Sequence, residues 1–280
     1  MNATTNAATA GTITIGGDLK VNRLGYGAMR LCGAGIWGEP KDPQSARRVL
    51  QRALELGINF IDTADSYGPE VNERLIADTL HPYPKGLVVA TKGGLIRPSR
   101  DEWVRRGSSA HLRQACEASL KRLRVERIDL YQFHAPDPRV RVEDSVGELG
   151  KLQQEGKIRH IGVSNFSVAE LERVAGIAKI VSVQNRYNVS DRRSDDVIAY
   201  CESRKMAFIP WYPLAAGEHA GVDSGSDELG RIAKQHSLTP AQAALAWLLN
   251  RSPAMLPIPG TSSLAHLEEN VAAAGVSLSR

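Results

Sequence analysis

The sequence predicts a single α/β domain folded as a (β/α)8 TIM barrel, and three observations lead to this prediction. Strand-like apolar runs alternate with amphipathic, helix-like segments along most of the chain, which is the pattern of a parallel sheet with crossover helices. About eight such pairs are present, and eight pairs close a barrel of this class. The 280 residues contain no linker or low-complexity block, and roughly 250 residues are typical of one such barrel.

An N-terminal β-hairpin is predicted ahead of the barrel. The alternating runs TITI and DLKV flank Gly16 and Gly17, and a glycine pair between two such runs favours a tight hairpin turn. We expect this hairpin to cover one end of the barrel. Residues 1–11 are predicted to form a disordered tail, so that the single domain spans residues 12–280.

The spacing of apolar residues along the sequence predicts the strands and helices of the barrel in chain order. The predicted strands are RLGYGAM, INFID, GLVVAT, RIDLYQF, IRHIGV, IVSVQ, MAFIPW and AMLPIP. The predicted helices have apolar residues at helical spacing; they are SARRVLQRALELG, NERLIADTL, HLRQACEASLKRLR, VGELGKLQQEG, VAELERVAGIA, SDDVIAYCESR and TPAQAALAWLLNR, and a last helix follows GTSS.

Charge and cysteine content argue against several classes of protein. The net charge of +4 comes from 35 basic and 31 acidic residues dispersed along the chain, without the basic face that nucleic-acid binding needs. No apolar run approaches the ~18 residues of a membrane span, so neither nucleic acid nor a membrane is an expected partner. Cys32, Cys116 and Cys201 lack disulfide or metal spacing, which predicts reduced thiols and a cytoplasmic location. The histidines lack HExxH or similar spacing, so no metal site is predicted.

Four polar residues stand at or just after predicted strands, where the active site of such a barrel forms. Asp62 ends INFID, Tyr67 follows in DTADSYG, Lys92 ends VVATK, and His134 follows DLYQF. Each has an ordinary alternative, because an Asp often caps a helix, a Tyr packs, a Lys is solvated and a lone His lies in the core. Their joint occurrence after three strands of one barrel favours a proton-transfer site.

The motifs DTADSYG, TKGG, LYQFH, GKIRHIGVSNF, VSVQNRYN and IPGTSSLAHLEEN, in this order, resemble those of the aldo-keto reductase family. The resemblance covers roughly residues 20–275. Within the family, VNRLGYGAMRL, IPGTSS and AHLEEN are most similar to bacterial pyridoxal reductase-like members. This resemblance implies an enzyme that reduces an aldehyde or ketone with NADP(H), with a pyridoxal aldehyde as one candidate substrate.

The resemblance also implies a role for each of the four residues. Tyr67 is the expected general acid, and Lys92 is expected to stabilise tyrosinate and lower the pKa of the phenol. Asp62 is expected to pair with Lys92 and fix its position. His134 is expected to orient and polarise the carbonyl. Relatives that reduce carbon–carbon double bonds carry glutamate at this position, so His134 points to carbonyl chemistry.

The cofactor site is likewise implied by the resemblance. Ser164, Asn165 and Gln184 are expected to hold the nicotinamide carboxamide, and Trp211 to stack on its ring. The residues expected along the rest of the cofactor are Tyr212, Pro213, Leu214, Ala216, Gly260, Thr261, Ser262, His266, Glu269 and Asn270. Gly260 and His266 stand where relatives often carry Lys and Arg for the 2′-phosphate, so NADH stays an open alternative to NADP(H).

The loop GAGIWG fits the GxGxxG string of a Rossmann dinucleotide site, but its context does not. The last glycine is followed by EPKDPQ rather than by a helix, and no acidic residue follows at the expected distance. We therefore expect this loop to line the substrate pocket. Ile36, Trp37 and Trp103 are predicted to form its apolar walls, with solvated loop residues as the alternative.

Two further functions remain as alternatives at this point. A cofactor-binding regulatory protein resembling potassium-channel β subunits is one, although the N-terminal residues do not resemble a channel-inactivating segment. The other is a lyase or isomerase that uses Lys92 in a Schiff base, against which the nearby Asp62 argues because it keeps the amine charged. The expected partner is a small carbonyl compound, and the sequence predicts no oligomeric state.

Overall fold

A curled parallel sheet lies at the centre of the protein, whose computed structural model describes residues 5–215 and 228–278. In chain order the strands are β1 (Thr12–Ile15), β2 (Leu19–Asn22), β3 (Tyr26–Gly27), β4 (Phe60–Asp62), β5 (Val88–Gly93), β6 (Leu95–Ile96), β7 (Val104–Arg105), β8 (Ile128–Phe133), β9 (Ile158–Ser164), β10 (Ile180–Gln184) and β11 (Ala207–Phe208). Seven of them form the central sheet in the order β11-β10-β9-β8-β5-β4-β3. All pairs in this sheet are parallel.

The segment 254–259 closes the sheet into a barrel. On one side, Phe208 N–H donates to Ala254 O at 2.8 Å and Leu256 N–H donates to Phe208 O at 2.9 Å. On the other side, Gly25 N–H donates to Pro257 O at 2.9 Å. The segment is the predicted eighth strand AMLPIP, but its two prolines have no N–H to donate, so a regular ladder does not form along it. The predicted α/β barrel class is confirmed.

Helices pack against the outside of the sheet. They are α1 (Pro43–Glu55), α2 (Val71–Leu80), α3 (Ser109–Leu123), α4 (Val142–Gln154), α5 (Val168–Val174), α6 (Asp195–Ser203), α7 (Glu228–Gln235), α8 (Pro240–Arg251) and α9 (Leu264–Ala272). Local chemistry fixes where several of them begin. Thr239 and Gln242 form a reciprocal capping box at the start of α8, and Pro240 occupies the first turn, where its missing N–H has no cost.

The β1–β2 hairpin covers one end of the barrel, as predicted. Its strands pair antiparallel, with Ile15 opposite Leu19, and Gly16 and Gly17 both have positive φ. Ile15, Leu19 and Val21 are buried in one cluster with apolar side chains that project from the barrel strands into its interior. This apolar contact explains why the hairpin stays on the barrel.

The chain before the hairpin differs from the prediction of a disordered tail. Residues Ala7–Ala10 form a 3-10 turn that is capped by the Asn6 side chain. Ala7 is buried, and its N–H donates to Leu56 O at 2.8 Å. Disorder was therefore the wrong prediction for this part of residues 1–11, because a small apolar residue and one backbone hydrogen bond tie it to the end of α1.

The sequence did not predict two elements near the ends of strands. The antiparallel pair β6–β7 follows β5 directly, and α7 follows the seventh barrel strand. The three cysteines are free thiols. Over residues 5–215 and 228–278, no cluster of three or more His, Cys, Asp or Glu is arranged to hold a metal ion. Within the same ranges, no helix has the length and apolar character needed to cross a membrane.

Candidate active site

The structure brings the four predicted residues Asp62, Tyr67, Lys92 and His134 together at the carboxyl end of the sheet. They come from β4, the turn after β4, β5, and the residue that follows β8. These strands are neighbours in the order β8-β5-β4, and the carboxyl ends of parallel neighbours lie at one edge. All four side chains are buried, and that of Lys92 is 0% exposed.

The ammonium group of Lys92 has three hydrogen-bond acceptors around it. Its Nζ donates to Asp62 Oδ2 at 2.5 Å, to Thr63 O at 2.9 Å and to the Tyr67 hydroxyl at 3.3 Å. An ammonium group has three N–H donors, so each of its protons has an acceptor. Lys92 is therefore held as a buried cation beside the phenol.

Two amide side chains hold the second oxygen of Asp62. Gln132 Nε2 donates to Asp62 Oδ1 at 2.9 Å, and Gln184 Nε2 donates to the same oxygen at 2.8 Å. Gln184 was predicted to contact the cofactor, and Gln132 was not predicted at all. The alternation of β8 indicates which face of the sheet Gln132 points to, but only the pairing of Lys92 opposite Gln132 places it next to Asp62.

Burial and charge act in opposite directions on the pKa values of Lys92 and Tyr67. Burial alone would lower the pKa of Lys92, but the Asp62 carboxylate and Tyr67 raise it above its usual value. Burial raises the pKa of Tyr67, and Lys92 opposes this rise without cancelling it. Lys92 therefore acts on the pKa of the phenol in the predicted direction, and the larger effect of desolvation leaves that pKa above its usual value.

His134 is a neutral imidazole in this site. Burial, together with the positive charge of Lys92, holds its pKa well below the usual range. Its ring meets the Tyr67 ring edge-on, with the two centroids 5.9 Å apart. The Ser66 hydroxyl lies 3.5 Å from Nδ1. A neutral histidine next to a phenol can donate one hydrogen bond to a polar ligand without adding a charge.

These side chains open onto a cavity of about 520 Å³. Of the predicted site residues, those that line it are Asp62, Tyr67, Trp103, His134, Ser164, Asn165, Gln184, Trp211, Tyr212, Pro213, Leu214 and Gly260. The lining also contains six residues that were not predicted from the sequence: Gly27, Met29, Arg30, Leu95, Ile258 and Pro259. Most of these lie at or just after the first, third and eighth barrel strands, so inspection of every strand end would have indicated them.

One wall of the cavity is a network around Asn165. Its Nδ2 donates to His134 O at 3.0 Å and to Ser164 Oγ at 3.1 Å. Its Oδ1 accepts from Trp211 Nε1 at 3.0 Å. Asn165 has a φ of 61°, a conformation that asparagine adopts more readily than most residues. Asn165 therefore links the Trp211 indole to the backbone of His134.

A second cavity of about 440 Å³ adjoins the first and shares Met29, Arg30 and Gly260 with it. Thr261, Ser262 and Ile36 line this second cavity. Ile36 therefore lies next to predicted cofactor residues rather than in the wall of the main cavity. The structure does not bring Trp37 to the lining of either cavity; its ring lies near the Arg97 guanidinium instead.

Three predicted cofactor residues on α9 do not line either cavity in the described part of the chain. They are His266, Glu269 and Asn270. His266 is exposed, and its N–H donates to Ser263 Oγ, which caps α9. Ala216 lies outside the described residues.

Comparison with known proteins identifies relatives across nearly the whole chain. The Aldo/keto reductase family matches residues 23–280. An uncharacterized oxidoreductase of Schizosaccharomyces pombe is 49% identical, and the match covers 98% of this chain and 88% of that protein. Pyridoxine 4-dehydrogenase of Escherichia coli is 41% identical, with 96% of this chain and 94% of that protein covered.

A solved structure agrees with these matches. An aldo-keto reductase from Klebsiella pneumoniae in complex with NADPH has a TM-score of 0.80 and 26% identity, and the match covers 96% of this chain and 90% of that chain. The predicted resemblance, including that to bacterial pyridoxal reductase-like members, is thereby confirmed. The chain belongs to the aldo/keto reductase family and is an oxidoreductase.

Proposed function

We propose that this protein reduces an aldehyde or ketone to an alcohol with NADPH, and that Tyr67 is the general acid. The observation that carries this proposal is the contact at 3.3 Å between the Tyr67 hydroxyl and the fully buried Lys92 ammonium. The other two protons of that ammonium go to Asp62 and Thr63. The phenol lines the cavity and carries a proton that it can give to a ligand. The Asp62 carboxylate also lines the cavity, but its oxygens accept from Lys92 and from two glutamine amides.

The donor set of the cavity fits a nicotinamide carboxamide. Ser164 Oγ accepts from Asn165, so its own hydroxyl proton is available to a carboxamide oxygen. Gln184 Nε2 is bonded to Asp62 and to Gln132, while its Oε1 accepts from no protein donor within the described residues and can receive a carboxamide N–H. The Trp211 indole lines the same cavity and offers a flat ring.

When bound, NADPH would supply the hydride that reduces the carbonyl carbon. The Tyr67 hydroxyl gives its proton to the carbonyl oxygen, so hydride and proton together convert the carbonyl to an alcohol. The Lys92 ammonium stabilises the tyrosinate that forms, and Asp62 keeps the ammonium in place. Neutral His134 donates to the carbonyl oxygen as negative charge develops there. Because its neighbours keep Lys92 protonated, a Schiff-base role for this amine is not supported.

The pH dependence of kcat/KM should reflect the two shifted groups. Reduction requires a protonated phenol, and the pKa of Tyr67 is raised. Activity should therefore stay level through neutral pH and fall only above the usual phenol value of about 10. Because the pKa of His134 is well lowered, no loss is expected near pH ~6.5, where a free histidine titrates. A profile of kcat/KM against pH tests the prediction for Tyr67 and the prediction for His134. A loss of activity on acidification through that pH would contradict the neutral role of His134.

Arg30 offers a cation for the phosphate groups of the cofactor. Its side chain is exposed, borders both cavities and has no ion pair with a carboxylate in the described ranges. Arg30→Gln should weaken NADPH binding about 10- to 100-fold, the usual effect of losing a charge-assisted hydrogen bond. Fluorescence titration with NADPH and NADH measures this loss. A loss with NADPH alone assigns the contact to the 2′-phosphate, and a loss with both cofactors assigns it to the pyrophosphate.

The matched control for this experiment is Arg48→Gln, since Arg48 is exposed on α1, outside both cavities. Its NADPH affinity should equal that of the wild type. Unchanged NADPH affinity in Arg30→Gln would contradict the assignment of Arg30 to the cofactor.

We propose pyridoxal as the first substrate to test, because pyridoxine 4-dehydrogenase of Escherichia coli is 41% identical to this chain. The test is a panel of aldehydes that includes pyridoxal, with NADPH absorbance as the signal. Oxidation of NADPH by one or more of them supports the reductase function. NADPH binding without turnover of any aldehyde would contradict it and favour a regulatory cofactor-binding role.

A further inference from the structure

Arg97 lies behind the wall of the main cavity, between two tryptophans. It is 6% exposed. Its Cζ lies 3.9 Å from the centroid of the Trp103 ring and 5.5 Å from that of the Trp37 ring. Over the described ranges, no ion pair joins Arg97 to a carboxylate. A buried cation without an ion pair is costly, and burial lowers the pKa of Arg97 although the Asp101 carboxylate opposes this shift. Hydrogen bonds must therefore offset its desolvation.

Backbone carbonyl groups of two loops supply those contacts. Arg97 Nη1 donates to Ile36 O at 3.1 Å, and Nη2 donates to Gly35 O at 3.1 Å. Nη2 also donates to Arg100 O. The guanidinium therefore joins the GAGIWG loop after β3 to the turn between β6 and β7. The guanidinium reaches these carbonyl groups from two separate nitrogen atoms of a rigid plane, whereas the three donors of a lysine ammonium all lie on one atom.

The Arg97 guanidinium lies over the ring of Trp103, which lines the cavity and is 40% exposed. Its ring meets the Tyr67 ring edge-on, with centroids 6.5 Å apart. Because the guanidinium covers one side of the indole, a ligand can stack only on the other. Tyr67 and Trp103 line the same cavity, and a flat aromatic ring gains more from stacking on an indole than a short alkyl chain does.

We propose that Arg97 is a positioning residue that fixes Trp103 as a stacking surface for flat aromatic aldehydes, and thereby sets a preference for them over small aliphatic ones. This inference rests on the reductase function proposed above. Arg97 is not among the residues that line the main cavity, so it acts through Trp103 and not by contact with the substrate.

The first test measures kcat and KM for the reduction of benzaldehyde and of propanal by two variants, Arg97→Gln and Arg97→Lys. For benzaldehyde, KM should rise about tenfold, since a cation–π and stacking arrangement of this kind contributes about that factor. For propanal, kcat and KM should change less than about twofold, within the scatter expected of a distant change. The matched control is Arg204→Gln, because Arg204 lies over the Tyr200 ring at 4.3 Å, away from the cavity. An equal rise in KM for both aldehydes in Arg97→Gln would contradict the proposed preference.

A double-mutant cycle with Trp103→Leu separates positioning from a general loss of stability. If Arg97 acts through Trp103, the Arg97→Gln change should have almost no further effect on benzaldehyde KM once Trp103 is replaced. If the two substitutions instead raise the benzaldehyde KM independently, so that their effects add in the double variant, Arg97 does not act through Trp103 and the proposal is overturned.

Tryptophan fluorescence gives a readout that does not depend on turnover. The signal of Trp103 is obtained as the difference between each protein and its Trp103→Phe counterpart. Removal of the guanidinium in Arg97→Gln should increase quenching of this signal by acrylamide, and unchanged quenching would contradict the positioning role. Absence of aldehyde reduction by the wild type would contradict the reductase function itself, whatever the quenching result.

Discussion

Tyr67→Phe is expected to lower kcat for aldehyde reduction by about 10²- to 10⁴-fold, the usual contribution of a general acid. The substitution removes the hydroxyl that lies 3.3 Å from Lys92 Nζ and leaves the ring in place. Because the ring still fills its position beside His134 and Trp103, the cavity should keep its shape. The measurement is steady-state turnover together with NADPH affinity by fluorescence titration.

NADPH affinity should be close to that of the wild type in this variant, since the proposed cofactor contacts lie on other residues. Tyr83→Phe is the matched control, because the Tyr83 hydroxyl donates to Leu123 O on the outer side of the barrel. It should keep full turnover. Unchanged kcat in Tyr67→Phe would contradict the assignment of the general acid, and a parallel loss in Tyr83→Phe would show that the assay reports on stability.

Lys92→Met is expected to abolish turnover and also to destabilise the fold. The side chain of Asp62 is 2% exposed, and Lys92 is its partner in an ion pair at 2.5 Å. Removing one member of a buried pair leaves an uncompensated charge and costs about 3–5 kcal/mol. For a chain of this size, such a loss lowers Tm by roughly 10 °C. Thermal unfolding followed by circular dichroism measures this effect.

The double variant Lys92→Met with Asp62→Asn separates the two consequences. The asparagine oxygen can still accept from the amides of Gln132 and Gln184, which now bond to Asp62 Oδ1. No charge remains buried, so most of the lost stability should return. Turnover should stay absent, because the cation that stabilises tyrosinate is missing. Restored turnover in the double variant would contradict the proposed role of Lys92.

The four polar residues could be predicted because their positions depend on local features. Each stands at the end of an apolar run or a few residues after it, and an end of a barrel strand is a fixed place in the fold. The resemblance to the aldo-keto reductase family implied the Lys92–Asp62 pair, and the structure contains it as an ion pair at 2.5 Å. The net direction of the Tyr67 pKa shift, in contrast, does not follow from local features. Desolvation depends on how closely the whole barrel packs around the phenol.

Residues that act through register or through distant loops could not be predicted in this way. Gln132 reaches Asp62 because β5 and β8 pair with Lys92 opposite Gln132. The sequence of neither strand alone specifies that register. Arg97 meets Gly35 and Ile36 across about sixty positions of the chain. Trp37 resembled a pocket residue by composition, yet it turns towards Arg97.

The sequence by itself determined the barrel, the hairpin that covers one end, the family and the four residues of the site. Hydrophobic period, glycine turns and strand ends specify the barrel, the hairpin and the positions of the four residues within short segments. The order of the motifs along the chain indicates the family. Only the tertiary structure decided which loops border each cavity, how the eighth segment closes the sheet through Pro257 O, and why Ala7 is ordered. These depend on contacts between segments far apart in the chain, where packing and desolvation outweigh local preference.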